Sequence, residues 1–340
     1  MFISQKVNLL LFCLIFSFFG CGSSEEDKVS FVITEAEIFL NASDCNSALT
    51  ILKNIEYQKT NARYLQTLAS AYACKSSFKE TTLFTNLGNI SAGGTLLGQF
   101  TKFTTASTMT STDDIDFLNM QSAIDTLLYA GGLLTSNNPS VDSRAGIFSP
   151  DDALSISTQL FYLMFDQIGR YGFFYGCYDG LSSGDGDKGK GRAADPVCSN
   201  RCFANYTGTV SLPVGLGSNI SGYIGAAPTG SCDGVSAGHT SLAATDYNSS
   251  QITILCQGVI LMNNFLEVLD DISSNVSAFA GFKVVSDFFD TPKANGASAS
   301  ISDVMDTLSQ SKCESDFGVD TAGKEKLMKY FVLFYESTFL

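Results

Sequence analysis

Few residues of this chain could carry chemistry, and their types narrow what that chemistry would be. The sequence holds one His, no Trp and ten Cys. The stretch Gly184-Asp185-Gly186-Asp187-Lys188-Gly189-Lys190-Gly191 comes close to a phosphate loop. Gly184, Gly189 and Lys190 keep the spacing, but Gly191 stands where Ser or Thr must meet magnesium, and no apolar strand precedes it. Asp185 and Asp187 alternate as calcium ligands do, with Asp179 and Asp195 near them in sequence. An EF-hand counted from Asp185 would need Glu at its last ligand position and finds Pro196 instead. Asp185 and Asp187 are thus weak calcium candidates, a solvated turn is the preferred reading, and no metal or cofactor is expected. His239 has no Gly-x-Ser-x-Gly elbow to serve. Asp270 and Asp271 are adjacent on one helix and cannot face each other as an acid-base couple. The expectation is a protein that is not an enzyme.

The ten cysteines call for a different chemistry, and the N-terminus says which. Lys6 precedes an apolar run from Val7 to Phe19, the layout of a signal peptide over residues 1–20 and too short for a comfortable spanning helix. Gly20 then stands directly before Cys21, with Phe18 and Phe19 ahead of it. This junction resembles the signal of bacterial lipoproteins. An ordinary signal peptide cut nearby, or an N-terminal anchor, also suits these residues. The resemblance implies that Cys21 is acylated and becomes the first mature residue. Gly22, rather than Asp, behind it implies outer-membrane sorting: a lipid anchor on the periplasmic side, with cell-surface exposure also compatible. Residues 21–30 would then be the lipidated Cys and a polar tether.

With Cys13 removed and Cys21 acylated, eight cysteines remain in an oxidising compartment: Cys45, Cys74, Cys177, Cys198, Cys202, Cys232, Cys256 and Cys313. They read as a disulfide set. Cys198 and Cys202 lack the partners of a zinc site, and no Cys-x-x-Cys suggests redox catalysis. Eight cysteines allow 105 pairings. One pair is singled out: Cys45 opens one expected helix and Cys74 closes the next, which puts both at the same end of an antiparallel hairpin.

The elements that position these residues are helical. Asp44 caps a helix with Ala48, Ile51, Leu52 and Ile55 on one stripe. Asn61 to Cys74 forms the next, with Tyr64, Leu65, Leu68, Ala71 and Tyr72 at helical spacing and small Ala69, Ala71 and Ala73 admitting a close neighbour. From Asp44 to Cys74 the chain resembles one helical hairpin of the tetratricopeptide type, which implies packed helix pairs. The Trp and closing Pro of that repeat, and its 34-residue period, do not occur. Asp113-Asp114 starts a helix through Leu128, expected to turn Ile115, Leu118, Ala123, Ile124 and Leu127 inward. Ser149-Pro150-Asp151-Asp152 is a strong helix start. The helix it opens is apolar on two stripes, Ala153, Ile156, Leu160, Met164 and Ile168 beside Leu154, Phe161 and Phe165, so it is expected at the centre of the core. Ile252 to Met262 reads as a second buried helix, too short to span a bilayer. Glycine, proline and three cysteines crowd the stretch between them, which reads as an excursion with a short strand at Val210-Ser211-Leu212. Helices are also expected at Phe279–Phe289, Ile301–Lys312 and Ala322–Thr338, the last docked through Leu327, Tyr330, Phe331, Phe334 and Tyr335.

The fold class expected is therefore all-α: stacked antiparallel helical hairpins in a repeat-like bundle, one domain over residues 31–340, with a Gly-rich, disulfide-pinned insertion at 179–245. Hydrophobic residues make up 45% of the chain and charged ones 16%, enough apolar content for a real core. A net charge of -14 repels nucleic acid. The expected function is a lipid-anchored binding or scaffold subunit whose partner is another envelope protein. The alternative is a small-ligand-binding accessory lipoprotein of a transport system. The excursion, too polar for core, is the expected partner-facing surface.

Overall fold

The computed structural model describes residues 25–78, 109, 111–175, 178–179, 187–188, 249–276 and 301–336. The signal peptide, Cys21, Cys177, Cys198, Cys202, Cys232, Asp185, His239, the Val210 strand and the Phe279 helix lie outside them, as does nearly all of 179–245. The described residues are helical apart from a two-residue antiparallel ladder, β1 (Tyr178–Asp179) with β2 (Asp187–Lys188), in which Asp179 opposes Asp187. The chain divides into two compact units, one ending at Tyr57 and one beginning at Gln58, where the sequence suggested one domain.

In the first unit α1 (Glu25–Asn41) packs against α2 (Cys45–Lys53). Helix α1 starts at Glu25, so residues 25–30 of the expected tether are helix. Glu25, Glu26 and Asp27 suit the positive end of its dipole, and Lys28 pairs with Glu25 at 2.6 Å. The helix closes in a Schellman motif: the Ser43 N–H donates to Leu40 O, the Asp44 N–H to Phe39 O, and Ser43 sits at φ 60°. Asp44 then caps α2 by accepting from the Ser47 N–H at 3.1 Å. That hydrogen bond, and a second from the Ser47 hydroxyl, hold the Asp44 carboxyl below its ordinary range.

The second unit is built around a buried antiparallel pair. Helix α3 (Ala62–Lys75), capped by Asn61, packs against α4 (Ile115–Leu128), and both rest on α6 (Pro150–Tyr175). A short α5 (Val141–Ala145) also touches α6. The glycine pair between α4 and α5 is required by geometry. Gly131 has φ +84°, and a Cβ there would lie 2.5 Å from the Ile147 side chain. Helix α6 begins as the sequence says, with Pro150 in its first turn and the Ser149 hydroxyl accepting from the Asp152 N–H. It runs beside α7 (Ser249–Asn275): Phe161 stacks on Phe265, while Tyr171 donates to Ile254 O at 3.0 Å.

Helix α7 is longer than the expected Ile252–Met262 segment and is the one described helix long and apolar enough to cross a membrane. Yet 83% of that window is buried inside the protein, which is how a core helix looks. Beyond it come α8 (Ser302–Met305), α9 (Gln310–Phe317) and α10 (Thr321–Tyr330), which continues as a π-helical turn, Phe331–Glu336. The stripe Leu327, Tyr330, Phe331, Phe334 and Tyr335 is buried, as expected.

Two expectations are corrected here. Ile115 and Leu118 point outward, because Phe117, Met120, Ile124 and Leu127 make the stripe that meets α3 and α6. The single helix Ile301–Lys312 is broken at residues 306–309. Asn263 donates to Val304 O and Thr307 O, and Asn138 grips Asp306 O and the Leu308 N–H. Ser309 then caps α9 as a new start. Side chains from elsewhere in the fold thus take the backbone groups a continuous helix would have used.

Candidate functional site

A cavity of about 320 Å³ opens between α4, α7 and α9, with Met164 of α6 at its back. Its polar lining includes Gln121 and Asp125 from α4, Gln257 and Asn264 from α7, and Gln310 and Glu314 from α9. Ile124, Leu128, Ile260 and Leu261 supply an apolar wall. Most of these polar groups are held by their own element or its neighbour. Gln167, wholly buried on α6, donates to Phe117 O at 3.1 Å and to Gln121 Oε1 at 3.4 Å. That fixes the Gln121 amide so that its Nε2 donates to Asp125 Oδ1 at 2.9 Å. On the opposite wall Gln310 Nε2 donates to Glu314 Oε1 at 2.7 Å and to Thr253 O at 3.0 Å.

Asn264 differs from the others. It is 1% exposed, and its Nδ2 is spent on Ile260 O at 2.8 Å and Leu308 O at 2.9 Å. Two facing carbonyls demand the amide nitrogen, so the orientation of the group is fixed. Its Oδ1 is left buried without a hydrogen-bond partner. Such an orphan acceptor is costly unless something supplies a donor.

Asp125 is an exposed residue that lines the cavity. Enough protein surrounds its carboxyl elsewhere that desolvation pushes it up to about 6, against the opposing pull of Gln121. Tyr129, which also lines the cavity, is shifted upward by burial; a hydrogen bond to Ser309 opposes this and the Asp125 charge adds to it. Ser309 in turn donates to Thr135 O, as does Ser311 at 2.7 Å, tying the 129–135 loop to the start of α9.

The two long walls are crosslinked. Cys256, one residue before Gln257, is bonded to Cys313, one residue before Glu314, with Cα atoms 5.7 Å apart. Both are fully buried. Cys45 and Cys74 are each disulfide-bonded as well. Of the residues singled out by sequence, the structure joins Cys256 to Cys313 behind the lining residues Gln257 and Glu314 and leaves Asp187 in β2. Among the described residues, no three His, Cys, Asp or Glu side chains gather to hold a metal.

The lining residues escaped sequence reasoning, although a signal for some of them was present. Gln257 and the Asn263-Asn264 pair interrupt an otherwise apolar helix, and Asp166, Gln167 and Arg170 do the same in α6. The latter charges form a buried ion pair, Arg170 Nε to Asp166 Oδ2 at 2.7 Å, and Arg170 also reaches Ser76 O at the end of α3. Polar groups so placed must be either satisfied or used. No protein-family model, curated protein or solved structure matches the chain.

Proposed function

We propose that this protein is a lipid-anchored, non-enzymatic binding subunit of a bacterial envelope, and that it holds a small ligand between α4, α7 and α9. The observation that carries the reading is a preformed cavity with both a polar and an apolar wall. A concave site with few placed polar groups is how small ligands are held, and its volume is at the small end of that range. Its carboxylates are clamped by carboxamides, and its described lining has no imidazole or thiol, a composition suited to holding rather than turnover. This favours the small-ligand alternative over a pure scaffold. The junction at Cys21 supports an outer-membrane anchor, another envelope protein is the partner, and the 179–245 excursion is its docking surface. Repeat-like helical hairpins, as the sequence suggests, complete the architecture.

Native mass spectrometry of the full chain extracted from cell membranes tests this. The wild type should carry an acyl mass on Cys21 and a small-molecule adduct. Leu261→Trp, which fills the cavity, should keep the acyl mass and lose the adduct. An unacylated Cys21 would end the anchoring proposal, and an adduct that survives Leu261→Trp would end the cavity proposal.

A further inference from the structure

We infer that the outward face of α1 lies on a zwitterionic lipid surface, an inference that rests on the acylated Cys21 of the reading above. Phe31 is 68% exposed and Ile38 is 62% exposed. They stand seven residues apart, about two turns of helix, so both lie on one stripe. Ile33 and Ala36, the buried residues of α1, fall on the opposite side of the helix. Covering Phe31 and Ile38 would take a large apolar area out of water. The covalent reach of the chain says what covers them. Gly22, Ser23 and Ser24 alone separate Cys21 from Glu25, the first residue of α1, so that residue lies within about 14 Å of Cys21. The 17 residues of α1 extend about 25 Å further at most. An acyl chain on Cys21 therefore keeps a bilayer beside this face at an effective concentration far above that of a freely diffusing partner. Charge selects the lipid. Helix α1 carries Glu25, Glu26, Asp27, Glu35 and Glu37 against Lys28, so anionic headgroups repel it and zwitterionic ones do not. Thr34 and Glu35 stand between Phe31 and Ile38 on the stripe. Their polar ends belong among headgroups, which seats the helix at the interface and not in the hydrocarbon.

The chain has no Trp, so a single introduced indole reports alone. Phe31→Trp, Ile38→Trp and, as an exposed apolar reference, Val319→Trp are each made in the full chain and reconstituted into phosphatidylcholine vesicles with and without brominated acyl chains. The acyl mass on Cys21 is read from the same samples. Phe31→Trp and Ile38→Trp should be quenched severalfold more strongly than Val319→Trp, most by bromines near the headgroup end. Their quenching should fall when phosphatidylglycerol replaces part of the phosphatidylcholine. Equal quenching at Val319→Trp would mean that no particular face meets the lipid and would overturn the inference. A blue-shifted indole at Phe31→Trp that brominated lipid does not quench would show a protein cover, from a second copy or another chain, and would overturn it too. Solvent-like emission from an acylated, vesicle-bound chain would also overturn it; in all three cases the anchoring reading stands. A chain that carries no acyl mass and leaves the vesicles would end the anchoring reading and this inference with it.

Discussion

Asp125 is where the site's electrostatics become measurable. Its carboxyl titrates near 6 in the folded protein, because surrounding atoms desolvate it more than Gln121 stabilises its charge. The unfolded chain releases that proton near the ordinary value of 3.8. Between these values the folded state holds the extra proton, so this group's contribution to stability is full below about 4 and lost as the pH rises through about 6. Tyr129 lines the same space, and the Asp125 charge adds to its upward shift. Urea denaturation of wild type and Asp125→Asn should therefore converge at pH 4 and diverge by pH 7.5, with the Asn variant the more stable. Solvent at the cavity mouth screens the effect, so the gap should be about 1 kcal/mol or less. A gap that is constant with pH would contradict the raised Asp125 carboxyl. None of this was legible in the sequence, where Asp125 is one acid among 34 Asp and Glu residues. What sets it apart is the neighbourhood of three other helices.

At the scale of elements, legibility follows the range of the forces involved. The starts at Asp44, Asn61, Asp114 and Ser149 can be read from the chain because a cap and its N–H lie within three residues of each other. The buried α6 and the docked stripe of α10 can be read because periodicity records burial. The break at 306–309 cannot, because the Asn side chains that cause it lie 41 to 170 positions away. The same holds for the Cys256–Cys313 bond, one of many pairings the cysteine count allows. That bond closes a span of 57 residues. By loop-closure entropy it contributes about 4 kcal/mol, and it pins α9 to α7 across the cavity. Replacing both cysteines by Ser should lower stability by about that amount. Amide exchange should rise first in Gln310–Phe317, while Ala62–Lys75 stays protected. Uniform acceleration in both helices would mean that the bond stabilises the whole unit and does not specifically hold the wall.

For the whole molecule, an apolar helical body, a covalent staple and a polar chamber serve one purpose if the chamber is occupied. The second unit spends much of its polar inventory internally. Asn263 and Tyr330 bond to each other, Tyr335 donates to Gly258 O, and Arg170 pairs with Asp166. Gly258 itself has no room for a side chain, since a Cβ would meet Tyr171 at 2.6 Å and Phe331 at 2.7 Å. Beside this close packing lies the cavity between α4, α7 and α9, the proposed site. Under the proposed function, a lipid anchor would fix where the site samples its ligand, and the net negative charge which ligands approach it. The most direct measurement is a methyl NMR screen of the full chain against small polar fragments. Saturable shifts should concentrate on the methyls of Ile124, Met164, Ile260 and Leu261 and vanish in Leu261→Trp. Shifts scattered over exposed Phe31, Ile38 and Val319 regions, or none that saturate, would contradict the central claim.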